Sequence, residues 1–222
     1  MTDIRLHDVD LVPERTLGAP ADDGPLRGRL TFGWDLLPAD HAGAPADWLT
    51  YLRSIPDREF RQLVMVCSFR PETPEGKGAF RHASLGVALS TPDGGAQPIA
   101  RLIDPGERTR PVGGPGTGLN FTVTTGVVDV GVERPPGGGP AREEWIVRGH
   151  GASQPNPQWE FRRVKRFPLV GDHPVAALVE LVPGRLNTAE VLIAAELEHR
   201  SWGVRRYRAR LQPSPHTIVL SE

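Results

Sequence analysis

Apolar residues recur at every second position over most of this chain, and a period of two is the signature of β-strands that bury one face. Arg29–Leu36 places Leu30, Phe32, Trp34 and Leu36 on one side. Arg81–Ser90 does the same with Ala83, Leu85, Val87 and Leu89. Leu63–Phe69 is apolar at nearly every position, the pattern expected of a central strand covered on both faces. Asn120–Val132 alternates through Phe121 and Val123, then changes phase at Thr125-Gly126, which predicts a β-bulge. Further strands are predicted over Glu144–Arg148, Gln158–Val164, Val175–Val182, Ala189–His199, Arg205–Leu211 and Thr217–Leu220.

The 25 glycines and 23 prolines stand mainly between these runs, so they read as turns rather than as one low-complexity tract. One short helix is expected, because Trp48, Leu52 and Ile55 recur at helical spacing between Pro45 and Pro56. Asp104–Gly118 and Pro135–Pro140 read as surface loops, and Gly149–Pro157 as a linker. The expectation is an all-β, antiparallel β-sandwich with one short helix and a β-rich C-terminal unit. Its division would be residues 1–153 and 156–222, and the two can share one core.

Charge is nearly balanced at −1, which gives no global field for nucleic acid or an anionic membrane. One cysteine, Cys67, excludes an intramolecular disulfide and a cysteine metal cluster. The N-terminus has early acids and no continuous apolar stretch, so a signal peptide is not expected. No apolar run reaches the roughly 18–20 residues of a transmembrane helix. A reducing cytoplasm is therefore the expected compartment.

Candidate chemistry is sparse. Gly113–Gly118 is glycine-rich, but Leu119-Asn120 stands where a phosphate loop needs Lys-Ser or Lys-Thr. The histidines, at 7, 41, 82, 150, 173, 199 and 216, have no zinc-ligand spacing. No Gly-x-Ser-x-Gly elbow exists, and Cys67 lies in an apolar run that suits a core residue. No catalytic residue and no enzyme activity are expected. Asp35, Asp40 and Asp47 form a loose acidic group without the regular spacing of a calcium loop.

Two basic stretches, Arg162–Arg166 and Arg205–Arg210, suggest a phosphate or nucleic-acid module using Arg162, Arg163, Arg206 and Arg208. A hairpin offers the second stretch a different use. A turn centred on Trp202 would pair Leu197 with Tyr207 and Ala195 with Ala209. That register sets Glu198 opposite Arg206 and Glu196 opposite Arg208, and such pairs contribute about 0.2–1 kcal/mol each. Nucleic acid is the less expected partner.

Several segments, taken in order, resemble the TerD type of the tellurium-resistance stress-protein family. They are Leu30-Thr-Phe-Gly-Trp-Asp35, the stretch Leu52–Phe69 with its Ile-Pro, Gly78–Ser84 followed by an apolar strand and Asp93-Gly94, Ile99–Asp104, and Glu144–Gly151. The resemblance covers about residues 29–36 and 50–151. It implies a β-sandwich, a stress-response context in a bacterial cytoplasm, and protein partners of that system. The family carries an acidic segment, associated with calcium, between Gly-Trp-Asp and Leu-x-x-Val-Pro. Here about 16 residues separate Asp35 from Leu52 and neither acidic motif is present. Asp35 matches while its co-ligands are missing, so the resemblance implies a calcium site reduced or lost. No cofactor is expected.

Overall fold

The computed structural model describes residues 5–14, 28–39, 46–71, 78–112, 142–164, 167–201, 205–211 and 215–221. Within them lie β1 (Arg5–Glu14), β2 (Gly28–Pro38), α1 (Ala46–Ser54), β3 (Phe60–Pro71), β4 (Gly78–Ser90) and β5 (Ile99–Asp104). These are followed by β6 (Glu107–Val112), β7 (Arg142–His150), β8 (Gln158–Arg162), β9 (Gly171–Glu180), β10 (Asn187–Ser201), β11 (Arg205–Leu211) and β12 (His216–Ser221). Every pairing between them is antiparallel. The fold is the all-β sandwich with one short helix that the period-two pattern predicts. The strand expected over 120–132 and the loops 113–118 and 135–140 lie outside the described residues.

The first sheet runs β5-β9-β3-β2-β1 and the second runs β1-β11-β10-β4-β8-β7-β6, with β12 beside β10. β1 belongs to both. Arg5–Asp10 pair with β2, and Leu11–Glu14 pair with β11. A strand that changes sheets in this way folds one continuous ladder into two layers. Strands from the C-terminal part interleave with earlier ones, since β9 lies between β5 and β3, and β10 between β4 and β11.

The inward faces supply the core. Leu30, Phe32, Leu63, Met65, Cys67, Phe69, Val175, Ala177 and Val179 face Phe80, Leu85, Trp159, Phe161, Val191, Ile193 and Leu197. Phe69 joins the layers, with its ring 5.2 Å from Phe80 and 5.5 Å from Phe161. β3 is central, but it is not sealed on both faces. Leu63, Met65 and Cys67 are buried while Val64 and Val66 between them are only half-buried.

Two loop expectations give way. Part of Asp104–Gly118 is the strand β6, whose Glu-Arg-Thr-Arg-Pro-Val carries no apolar alternation. Among the described residues it pairs only with β7, and an edge strand tolerates both charge and proline. Nor is Gly149–Pro157 a free linker. Ser153 N donates to Ala100 O at 2.6 Å and Ala100 N to Gln154 O at 3.0 Å, tying it to the first sheet. Val87 N donates to Pro157 O at 2.9 Å and Leu89 N to Pro155 O at 2.7 Å, tying it to the second.

The C-terminal hairpin forms with a different register from that expected. Leu197 pairs with Ala209, Glu198 with Arg208 and Glu196 with Arg210. The connection is the shorter 202–204, which slips β11 by two residues. An even slip leaves each residue on its expected face. Glutamates still stand opposite arginines in the backbone register, although the arginines are one pair further along.

α1 is held by a buried carboxylate. Glu180 at the end of β9 accepts a hydrogen bond from Tyr51 Oη at 2.8 Å and from Arg101 Nε at 2.6 Å, with Arg58 Nε at 3.5 Å. Trp48 completes the contact edge-on to Phe60, 5.7 Å away. Burial pushes the Glu180 carboxyl up. The bonds from Arg101 and Tyr51 and the charges of Arg101 and Arg58 more than reverse it, leaving it below its ordinary value. Its stabilising effect is therefore complete above the ordinary glutamate range and is lost as pH falls through the lowered value. Glu180→Gln should cost about 1–2 kcal/mol at neutral pH, because its two cationic partners, Arg101 and Arg58, remain partly in water. In urea melts at stepped pH the gap from wild type should close on the acid side. A gap independent of pH would show that Glu180 acts by shape alone.

Candidate functional site

A polar concavity of the described surface lies where β4 leaves regular pairing with β10. Glu196 pairs with His82, but the next residue, Leu197, pairs with Phe80, so Arg81 is an extra residue in β4. This is a β-bulge, which re-aims side chains and bends its strand. It opens a groove of about 510 Å³. Arg81 and His82 of β4, Glu144 of β7, Arg162 at the end of β8 and Glu196 of β10 line it, with Arg163 and Val164 just beyond β8. The backbone fixes its rim, since His82 pairs with Arg162 and Arg163 N donates to Arg81 O at 2.9 Å.

Arg162 is the best-defined member. Its guanidinium carbon lies 4.2 Å from the centre of the Trp145 ring, a cation–π distance, and Arg148 lies 4.8 Å from the same ring. Arg162 Nη2 reaches Glu144 Oε2 at 3.4 Å, a long contact, while its Nε is buried with no hydrogen-bond partner. Of the arginines expected to act together, Arg162 and Arg163 line this groove. Arg208 and Arg206 lie on β11, opposite Glu198 and Arg200 in register, and their side chains lie outside the described residues.

Asp35 is on β2 opposite Val64. Its Oδ1 accepts a hydrogen bond from Leu36 N at 2.8 Å, and its Oδ2 is buried with no partner. Asp40 and the side chain of Asp47 lie outside the described residues. No three His, Cys, Asp or Glu side chains gather within ligating reach of one point among the described residues. Cys67 is fully enclosed in the core, and burial pushes its thiol up to about 12. A thiol held so firmly in its protonated form is not a nucleophile near neutral pH.

No protein-family model and no curated protein match this chain. Among solved structures it is similar to the Clostridium perfringens NetB toxin in the membrane-inserted form. The identity is 8%, the TM-score 0.35, and the match covers 97% of this chain and 95% of that one. Likeness at that level carries nothing about fold or activity. No helix among the described residues is long and apolar enough to cross a membrane.

The groove was half visible in sequence. Arg162 and Arg163 stand out as a basic pair, but His82 and Glu144 join them only through strand pairing. One signal for the bulge exists. Phe80 and Ala83 are both buried, although they are three residues apart and a regular strand would put them on opposite faces.

Proposed function

We propose that this chain is a non-enzymatic binding or scaffold protein of the TerD stress-response kind, with calcium capacity reduced or lost. Its compartment on this reading is the bacterial cytoplasm, and its partners are proteins of the stress-response system. What supports the reading is where the resembling segments fall. They lie, in chain order, on β2, on the end of α1 with β3, on β4, on β5 and on β7, all within one antiparallel sandwich. The thiol on them, Cys67, is enclosed in the core.

The test is genetic. Deleting the gene should sensitise its host to tellurite, and both the wild-type gene and an Asp35→Asn variant should restore tolerance. A deletion strain as tolerant as its parent would sink the reading. Failure of Asp35→Asn alone would show that the carboxylate still serves a metal.

A second reading, a phosphate or nucleic-acid binding module, has one observation in its favour: two of its four arginines share the groove at the β4 bulge.

A further inference from the structure

We propose that the groove at the β4 bulge is a binding site for a small phosphorylated ligand, whose phosphoryl oxygens are held by Arg81, Arg162 and Arg163. The inference rests on the binding-protein reading and names the ligand class.

Three guanidiniums and two carboxylates line the groove, so cations exceed anions. One of the carboxylates, Glu144, also has an arginine opposite it across the sheet, since it pairs in register with Arg110. Arg162 has donor capacity to spare, because a guanidinium carries five N–H groups in a fixed fork. Besides the Trp145 ring, the long 3.4 Å contact to Glu144 engages it, and the buried Nε has no acceptor. Arg163 is exposed, while its backbone is tied to Arg81. Arg81 is the bulge residue of β4, Arg162 ends β8 and Arg163 follows it, so the three cations sit on adjoining backbone joined by the bond from Arg163 N to Arg81 O. A phosphoryl group offers several charged oxygens, and each bond from arginine to such an oxygen is charge-assisted.

The size and surroundings favour a small ligand over a nucleic acid. About 510 Å³ falls within the usual range for small-molecule sites. A nucleic-acid surface needs a continuous basic stripe. Here Glu160 pairs with Arg148 across β7 and β8, and Glu196 stands among the cations, so a stripe of the described residues is interrupted.

The test is calorimetric titration of the full chain at low salt with pyrophosphate, phosphoserine, sulfate and a single-stranded oligonucleotide. Saturable one-to-one binding of pyrophosphate or phosphoserine is expected, with the stronger arm identifying a diphosphate or a monoester source. Arg162→Gln and Arg163→Gln should each weaken it by about tenfold or more, the effect of losing a charged hydrogen bond. Arg185→Gln, which removes a distant arginine paired with Asp93, should leave it unchanged. Trp145 fluorescence should change on binding, and Trp145→Phe should remove that change. Because Arg163 is exposed, its variant separates lost binding from lost folding. No heat with either phosphate compound overturns the proposal, as does equal binding by the Arg163→Gln variant. Sulfate binding as tightly would reduce the site to an adventitious ion only. Tighter, steeply salt-dependent binding of the oligonucleotide would replace the small ligand with a nucleic acid. A null titration with intact tellurite complementation would sink this inference and leave the binding-protein reading standing.

Discussion

Phe69→Ala should destabilise the protein by about 3–5 kcal/mol, the range for removing a buried aromatic side chain. Phe69 is 1% exposed on the central strand β3, and its ring meets three others from both sheets. Phe80 is 5.2 Å away, Phe161 5.5 Å and His173 5.4 Å, so truncation removes contacts that join the layers. Urea unfolding should show a lower midpoint at an unchanged slope. Val219→Ala, at a site 49% exposed, should change little. A loss below about 1 kcal/mol at Phe69 would mean that the sheets do not meet there.

The same variant has a second readout. Burial pushes the His173 imidazole below its ordinary value, partly opposed by its contact with Val170 O at 3.2 Å. A histidine kept neutral by the fold gives full stability above the ordinary histidine range, and stability falls as pH drops through that range. Opening the wall formed by Phe69 admits water, so the His173 titration followed by NMR should move up toward its ordinary value. The acid-side loss of stability should shrink with it. An unmoved titration would show that the Phe69 ring does not shield His173.

How much of this was legible in sequence depended on whether each strand faces the core. β2, β4 and β10 declare themselves because Leu30 and Phe32, Leu85 and Val87, or Val191 and Ile193 recur with period two and are buried. β6 does not, since its charges and Pro111 suit an edge, and edge strands look like loops. β1 carries no clear strand signal because acidic residues interrupt its apolar ones and because it divides its pairing between two sheets. The hairpin of β10 and β11 was legible in face but not in register. Alternation fixes the side on which a residue lies, while loop length fixes its partner. The groove obeys the same limit. Arg162 and Arg163 are neighbours in sequence, whereas the approach of Arg81 and Glu196 is a product of one extra residue in β4.

Gly149→Ala should cost about 2–4 kcal/mol, the upper part of the overpacking range, because backbone rather than a flexible side chain blocks the new methyl. A Cβ at Gly149 would lie 2.6 Å from Pro105 O, 3.0 Å from Ile103 Cδ1 and 3.1 Å from Trp159 Nε1. Pro105 and Gly106 cannot simply withdraw. Gly149 N donates to Gly106 O at 2.8 Å, so the turn between β5 and β6 is pinned to β7 at the same point. Relief would require parting the turn from the strand or turning Trp159, which is fully buried. Gly86→Ala is the matched comparison. A Cβ there meets nothing within 4 Å, and alanine narrows the unfolded chain's choices, so that variant should be neutral or gain up to about 1 kcal/mol. Melting both variants side by side separates close approach from any general need for glycine in these strands. Equal losses at the two sites would rule out the contact between Pro105 and Gly149 as the cause. A large loss at Gly149 alone would locate a point where the first sheet's edge turn bears directly on the backbone of the second.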